Sequence, residues 1–253
     1  MDCAQITCTS KYKRLLLVLS VVLCLFSAEA QKFGIPLETD LYLQKNGFSL
    51  GYSFKYRQAI WVAYTLTADN LQTAQTPRKN KFKPDPEIKF RPVLPQDYSG
   101  SGYDKGHLAP AADMTYSVKS MENSFLMSNI APQRPGCNRG IWKRVENQVR
   151  KWAIKEKKIY VITGPVFQSA PLLMKKSTIP VPVAFYKILF DLTPPCKMIS
   201  FIVPNQTSKR RVASFVVTVD EVERLTGCDF FNTLEDEIQN KLEAEADFKM
   251  WEK

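Results

Sequence analysis

The sequence predicts an α+β fold, with about six strands in one central, mainly antiparallel sheet flanked by several helices. Three observations lead there. Short apolar runs of strand character recur late in the chain, at IYVITG, VPVAFYKILF, MISFIVP and VASFVV. Between 138 and 157 the apolar residues Trp142, Val145, Val149 and Trp152 fall instead at helical spacing. Thr218-Val219-Asp220-Glu221 then has the form of a capping box, opening a helix that stops near Gly227.

The first thirty residues stand apart from this pattern. Lys11, Lys13 and Arg14 precede an apolar run from Leu15 to Phe26, and Ala28-Glu29-Ala30 supplies a small-x-small cleavage site. That order reads as a signal peptide over 1–30, which predicts export to a secreted or periplasmic location as one domain over 31–253. The run is short for a bilayer span and no later one is longer, so no membrane association is expected after cleavage.

Within the predicted domain, SLGYSF and AIWVAYTLT alternate around a break near Tyr56-Arg57 and read as a hairpin over 49–67. Thr73 to Asp97 holds five prolines and many basic residues, which forbid a regular helix and predict a long excursion. Ser117 to Met127 and Asn138 to Lys157 read as helices, as does the amphipathic Leu234 to Leu242. No repeat or low-complexity segment is present.

The formal net charge is +10; the first thirty residues carry three basic and two acidic side chains, so their removal leaves +9. The charge is uneven. Lys and Arg dominate from Lys79 to Lys158, while the last nineteen residues hold seven acidic against three basic side chains. Such asymmetry points to a surface that attracts polyanions, nucleic acid above all. Cys137, Cys196 and Cys228 follow the predicted leader, and in an oxidising compartment Cys196 with Cys228 is the expected pair. With one histidine and no CxxC spacing, an ordinary zinc site is not expected.

That one histidine, His107, lies in DKGHLAPAADM. A lone histidine is ordinarily a packing residue. Here it follows Gly106 and sits beside Lys105 and Asp104, a cation and a carboxylate able to bind phosphate and orient a ring. As a neutral imidazole it could take a proton from water. Further on, Asn138, Trp142, Glu146 and Arg150 are spaced by four, so each advances about 40° around a helix and all lie along one slowly winding face. Asn138 also suits a helix N-cap, and a solvated helix face would explain the same residues. An oxygen-rich face near a histidine has a chemical use, because magnesium takes oxygen ligands and keeps several waters.

DKGHLAPAADM, NSFLMSNIAPQ and NRGIWKRVENQVR together resemble the DNA/RNA non-specific endonuclease family, whose signature is D-R-G-H, then S-N-x-x-P-Q, then N-x-G-x-W with a glutamate four residues past the tryptophan. The likeness runs from about Phe48 to Leu242. It implies a ββα-metal (His-Me finger) core and a metal-dependent endonuclease that cuts DNA and RNA with little sequence preference. It implies Mg2+, with Mn2+ as a substitute, and leaves a homodimer open. By motif position, His107 corresponds to the general base, Asn138 to the direct metal ligand, Glu146 to a carboxylate engaging the metal's waters and Arg150 to a basic residue facing the phosphate. Asn129 corresponds to a further active-site asparagine. Lys105 stands where the family has arginine, which keeps the charge and loses the bidentate fork. A catalytically weak nucleic-acid-binding protein on the same scaffold is the alternative reading.

Overall fold

The computed structural model describes residues 33–73 and 76–252, so the predicted leader lies outside the described residues. Three antiparallel strands come first: β1 (Leu41–Lys45), β2 (Phe48–Ser53) and β3 (Gln58–Thr67). The latter two form the expected hairpin, turned through Arg57 in a left-handed conformation (φ 54°). Strand β1 was not predicted, because its inward positions include the buried Lys45 and its outward ones the exposed Tyr42, so the residue types of LYLQK do not show the alternation of burial. Thr67 then caps helix α1 (Ala68–Gln72) by accepting from Asn70 N.

From 76 to 94 the proline-rich excursion has no helix or regular strand, as expected. It is nonetheless fastened down. Asp85 is buried and accepts from Lys45 Nζ at 2.9 Å and from Ser128 Oγ at 2.6 Å. Strand β4 (Asp104–His107) follows, then helix α2 (Val118–Ser124) with Ser117 as its cap. Strand β5 (Ile130–Gln133) pairs antiparallel with β4 as a separate two-stranded sheet.

The helix expected over 138–157 is two pieces. Cys137–Trp142 forms a π-type turn, broken at Gly140 (φ −107°, ψ −108°), and helix α3 runs only from Lys143 to Lys155. Asn138 is therefore not its cap. The remaining elements are β6 (Lys158–Val166), β7 (Ala184–Asp191), β8 (Lys197–Pro204), β9 (Val216–Val217), α4 (Val219–Thr226), α5 (Asp236–Glu243) and α6 (Phe248–Glu252). As predicted, Thr218 caps α4 and Gly227 ends it in a left-handed conformation (φ 71°).

The main sheet has seven strands, rather than about six, in the order β1-β2-β3-β6-β7-β8-β9, every pair antiparallel. VASFVV is a strand only at its last two residues. Val212–Phe215 winds as a 3-10 turn, and Ala213 and Ser214 within it are exposed and have no core position to fill. The strand predicted from Val181 begins at Ala184, because Pro182 lacks the N–H a ladder needs.

Strands β6 and β7 are buried on both faces, which is why their sequences are nearly unbroken apolar runs. Phe185 and Leu189 pack beneath Val145, Val149 and Trp152 of α3. Tyr186, Ile188 and Phe190 pack on the other side with Val219 and Val222 of α4. Lys187 has the parity of Phe185 and Leu189, so it stands on the α3 side. The cysteine expectation fails: all three thiols are free, with Cys228 in the core under α4 and Cys196 exposed near the β7–β8 turn. No described helix is long and apolar enough to cross a membrane.

Candidate active site

The hairpin of β4 and β5 sets His107 opposite Ile130 and Asp104 opposite Gln133. Gly106 makes that pairing possible, since a Cβ there would lie 2.2 Å from the Gln133 side chain. The glycine thus serves close packing of the two strands. Asn129 then locks the chain just after the histidine. Its Oδ1 accepts from Ala109 N and its Nδ2 donates to Ala109 O and Ser124 O, each at 2.9 Å, while its backbone carbonyl accepts from Leu108 N. Asn129 is fully buried, and its amide acts on this loop.

His107 is 9% exposed and packs against the rings of Phe125 (4.9 Å) and Phe82 (5.4 Å), which also touch each other (5.0 Å). Burial, with help from the charge of Arg78, pushes its pKa down to about 3. The imidazole is neutral at any pH near 7, the state a base requires. Its Nε2 is enclosed with no hydrogen-bond partner among the described residues. Arg78 itself rests over the Phe125 ring at 5.2 Å.

Asn138, in the turn before α3, donates from Nδ2 to Asp104 Oδ2 at 2.9 Å. The same carboxylate takes two bonds from Arg139, at 2.8 and 2.6 Å. Burial works to raise the pKa of Asp104, but the bonds from Arg139 and Asn138 outweigh it and hold the carboxyl below its ordinary range. Lys105 makes no ion pair among the described residues; its Nζ stands over the rings of Phe82 (5.4 Å) and Tyr98 (5.8 Å).

The other end of the site is closed by Asp113, which is buried six residues past His107. It accepts from Arg150 at 2.7 Å and from the Tyr64 hydroxyl at 2.9 Å. Arg150 also donates to Asn147 Oδ1 at 2.5 Å, so its guanidinium is braced from two sides. Glu146 is half-buried and has no hydrogen bond or ion pair among the described residues. Burial pushes its pKa up to about 7, with Lys187 pulling it down and Asp113 pushing it further up. Lys187 is wholly buried with its ammonium over the rings of Trp142 (5.1 Å) and Tyr64 (5.9 Å) and without a hydrogen bond among the described residues. Burial lowers its pKa to about 8 against the opposing pull of Glu146 and Asp113.

Two clips therefore fasten the His107 segment to α3 and the turn before it: Asp104 to Asn138 ahead of His107, and Asp113 to Arg150 behind it. They bring the segments bearing His107, Lys105, Asn138, Glu146 and Arg150 together, whereas Asn129 lies beneath them. Sequence reasoning missed Asp113, Lys187, Phe82, Arg78 and the partner role of Asp104. Asp104 and Asp113, both inside the quoted motif DKGHLAPAADM, left a signal there.

These residues suit a hard divalent cation. With its donor turned to a carboxylate, the Asn138 amide keeps its acceptor oxygen without a partner among the described residues, and Glu146 is a carboxylate that feels the charge of Lys187 but makes no ion pair or hydrogen bond among them. Oxygen donors of this kind are what magnesium prefers. The acidic group of Asp220, Glu223 and Glu243 lies elsewhere, around α4 and α5.

Comparison with known proteins gives the family and fold that the chain resembles. A family model described as DNA/RNA non-specific endonuclease matches residues 26–237. A nuclease of Nostoc sp. is 34% identical over 225 residues, covering 83% of this chain and 81% of that protein. Human mitochondrial endonuclease G is 29% identical over 217 residues, covering 80% and 73%. The solved complex of EndoG with EndoGI superposes with a TM-score of 0.77 at 29% identity, over 83% of this chain and 93% of the other.

Proposed function

The chain belongs to the DNA/RNA non-specific endonuclease family, and on that footing we propose that it hydrolyses phosphodiester bonds of DNA and RNA with Mg2+, little sequence preference, and His107 as the base. What supports this reading is the pair of clips, Asp104–Asn138 and Asp113–Arg150, which tie the segment carrying a neutral histidine to the segment carrying Asn138 and Glu146.

In this reading the neutral imidazole of His107 accepts the proton of the attacking water. Asn138 Oδ1 would hold the metal directly, and Glu146 would engage it through its waters. A divalent cation bound there supplies charge stabilisation to the phosphate and its leaving oxygen. Lys105 and Arg150 stabilise the added negative charge as phosphorus becomes pentacoordinate. Lys105 does so as a point charge, without the bidentate grip of an arginine. Asn129 keeps the His107 loop in place. The basic surface gathers polyanions without reading sequence, so its contribution weakens with salt.

The leader-like order of residues 1–30 supports export as a single domain, 31–253, to a secreted or periplasmic location. The test is a substrate and metal panel on protein beginning at Gln31. Plasmid DNA and RNA should both be degraded with Mg2+ or Mn2+ and spared with a chelator. Binding without cleavage under every metal would select the weak-binding alternative.

A further inference from the structure

A cleft of about 470 Å³ opens beside the site and has no part in the chemistry above. Volumes of this size are typical of pockets for small organic groups. Tyr103 and Arg134 stand at its edge, with the guanidinium 5.6 Å from the ring centroid. Arg134 is exposed and makes no ion pair or side-chain hydrogen bond among the described residues. Leu172 and Val183 supply apolar walls that are 64% and 43% exposed.

The cleft is built on the same segments as the site. Tyr103 directly precedes Asp104, the residue that holds Asn138. Arg134 directly follows Gln133, which pairs with Asp104 across the hairpin. Thr207, a further lining residue, packs so closely on Gly136 that a Cβ there would lie 1.9 Å from its hydroxyl, and Gly136 is two residues from Asn138. The floor is braced: buried Asn205 accepts from Arg134 N at 2.8 Å and donates to Pro132 O and Pro182 O at 3.0 and 2.9 Å. A ring, an unpaired guanidinium and apolar walls on a rigid floor form a stacking platform, which every base can use through its π-face.

We propose that this cleft takes one unstacked nucleobase next to the phosphate held at His107 and Asn138, so that single-stranded polynucleotide is favoured over duplex. This deepens the proposed function and rests on it for the position of the phosphate. In a duplex the base must first be unstacked and unpaired, which costs free energy that a single strand has already released.

The test compares Tyr103→Ala, Arg134→Ala and Leu172→Ser with the parent, the last being a surface change that leaves the core intact. Cleavage is followed on a single-stranded oligonucleotide and on the same strand annealed to its complement. Binding of the labelled single strand is read by anisotropy in the His107→Ala background with a chelator present. Tyr103→Ala should weaken single-strand binding about tenfold, the cost of one lost base stack, and raise the single-strand KM with kcat nearly unchanged. The duplex should respond less, and Leu172→Ser should follow the same pattern more weakly. Unchanged binding, or equal losses on both substrates, overturns the cleft proposal while leaving the nuclease reading intact. Cleft-dependent binding by a protein that cuts nothing upholds the cleft and overturns the nuclease reading.

Discussion

Asn138 Nδ2 donates to Asp104 Oδ2 across 2.9 Å, and that bond joins the turn before the helix to the strand carrying His107. Its consequence is orientation. A carboxylate only accepts, so it fixes which end of the amide faces it and leaves the acceptor oxygen for a cation.

Asp104→Asn removes that constraint and the pairing with Arg139. Magnesium affinity, read by calorimetric titration, should fall roughly 10- to 100-fold, the usual cost of losing a group that orients a ligand. The far-ultraviolet spectrum should not change. Undiminished affinity would show that Asp104 does not orient Asn138.

Arg150 has a structural task besides any contact with phosphate. Its partner Asp113 has a side chain only 1% exposed. Arg150→Met strands that carboxylate with Tyr64 alone and should cost about 3 kcal/mol in urea denaturation. Arg150→Met combined with Asp113→Asn should recover much of the loss. A single variant as stable as the parent would confine Arg150 to the substrate.

The histidine sets a pH dependence of stability. Its pKa is about 3 when folded and near 6.5 when unfolded. Between those values the unfolded chain binds a proton that the folded chain refuses at His107, so the stability this group contributes is full above about pH 6.5 and falls as pH drops toward 3. The slope from this group is ~1.4 kcal/mol per pH unit within the window. Denaturation of His107→Gln in metal-free buffer should lack that slope; an identical slope in parent and variant would contradict the burial argument.

Lys187 carries a buried ammonium with no hydrogen bond among the described residues, an arrangement that costs stability. Lys187→Met keeps the volume and the packing on Trp142 and Tyr64. It should gain on the order of 1 kcal/mol in thermal or urea unfolding while lowering the cleavage rate, because Glu146 loses the cation that favours its charged form. A destabilised variant with full activity would reverse both assignments.

How far the sequence could be read follows from the range of each interaction. Apolar alternation is local, so the 49–67 hairpin and the strands around Tyr160 and Ile188 were legible. Caps are local too, and Thr218 and Gly227 mark α4 at both ends. The break at Gly140 was hidden because the apolar spacing of Trp142, Val145 and Val149 continues across it, although the backbone does not. The VASFVV segment has strand composition and nothing local to reveal that β8 offers it only two pairing positions. At the site, His107, Asn138, Glu146 and Arg150 were visible because they share short motifs. Phe82 and Lys187 reach it from 25 and 80 residues away in sequence, one on an excursion and one in a central strand, and no periodicity links either to His107. The expected Cys196–Cys228 pair rested on compartment alone, and chemistry of that kind says nothing about where two thiols come to lie.

The most direct measurement is the rate of plasmid DNA cleavage by the purified His107→Ala protein, with magnesium present and the parent alongside. Loss of nearly all cleavage, with magnesium affinity and single-strand binding retained, is the result expected of a neutral base that activates water. Cleavage at the parent's rate would contradict that assignment.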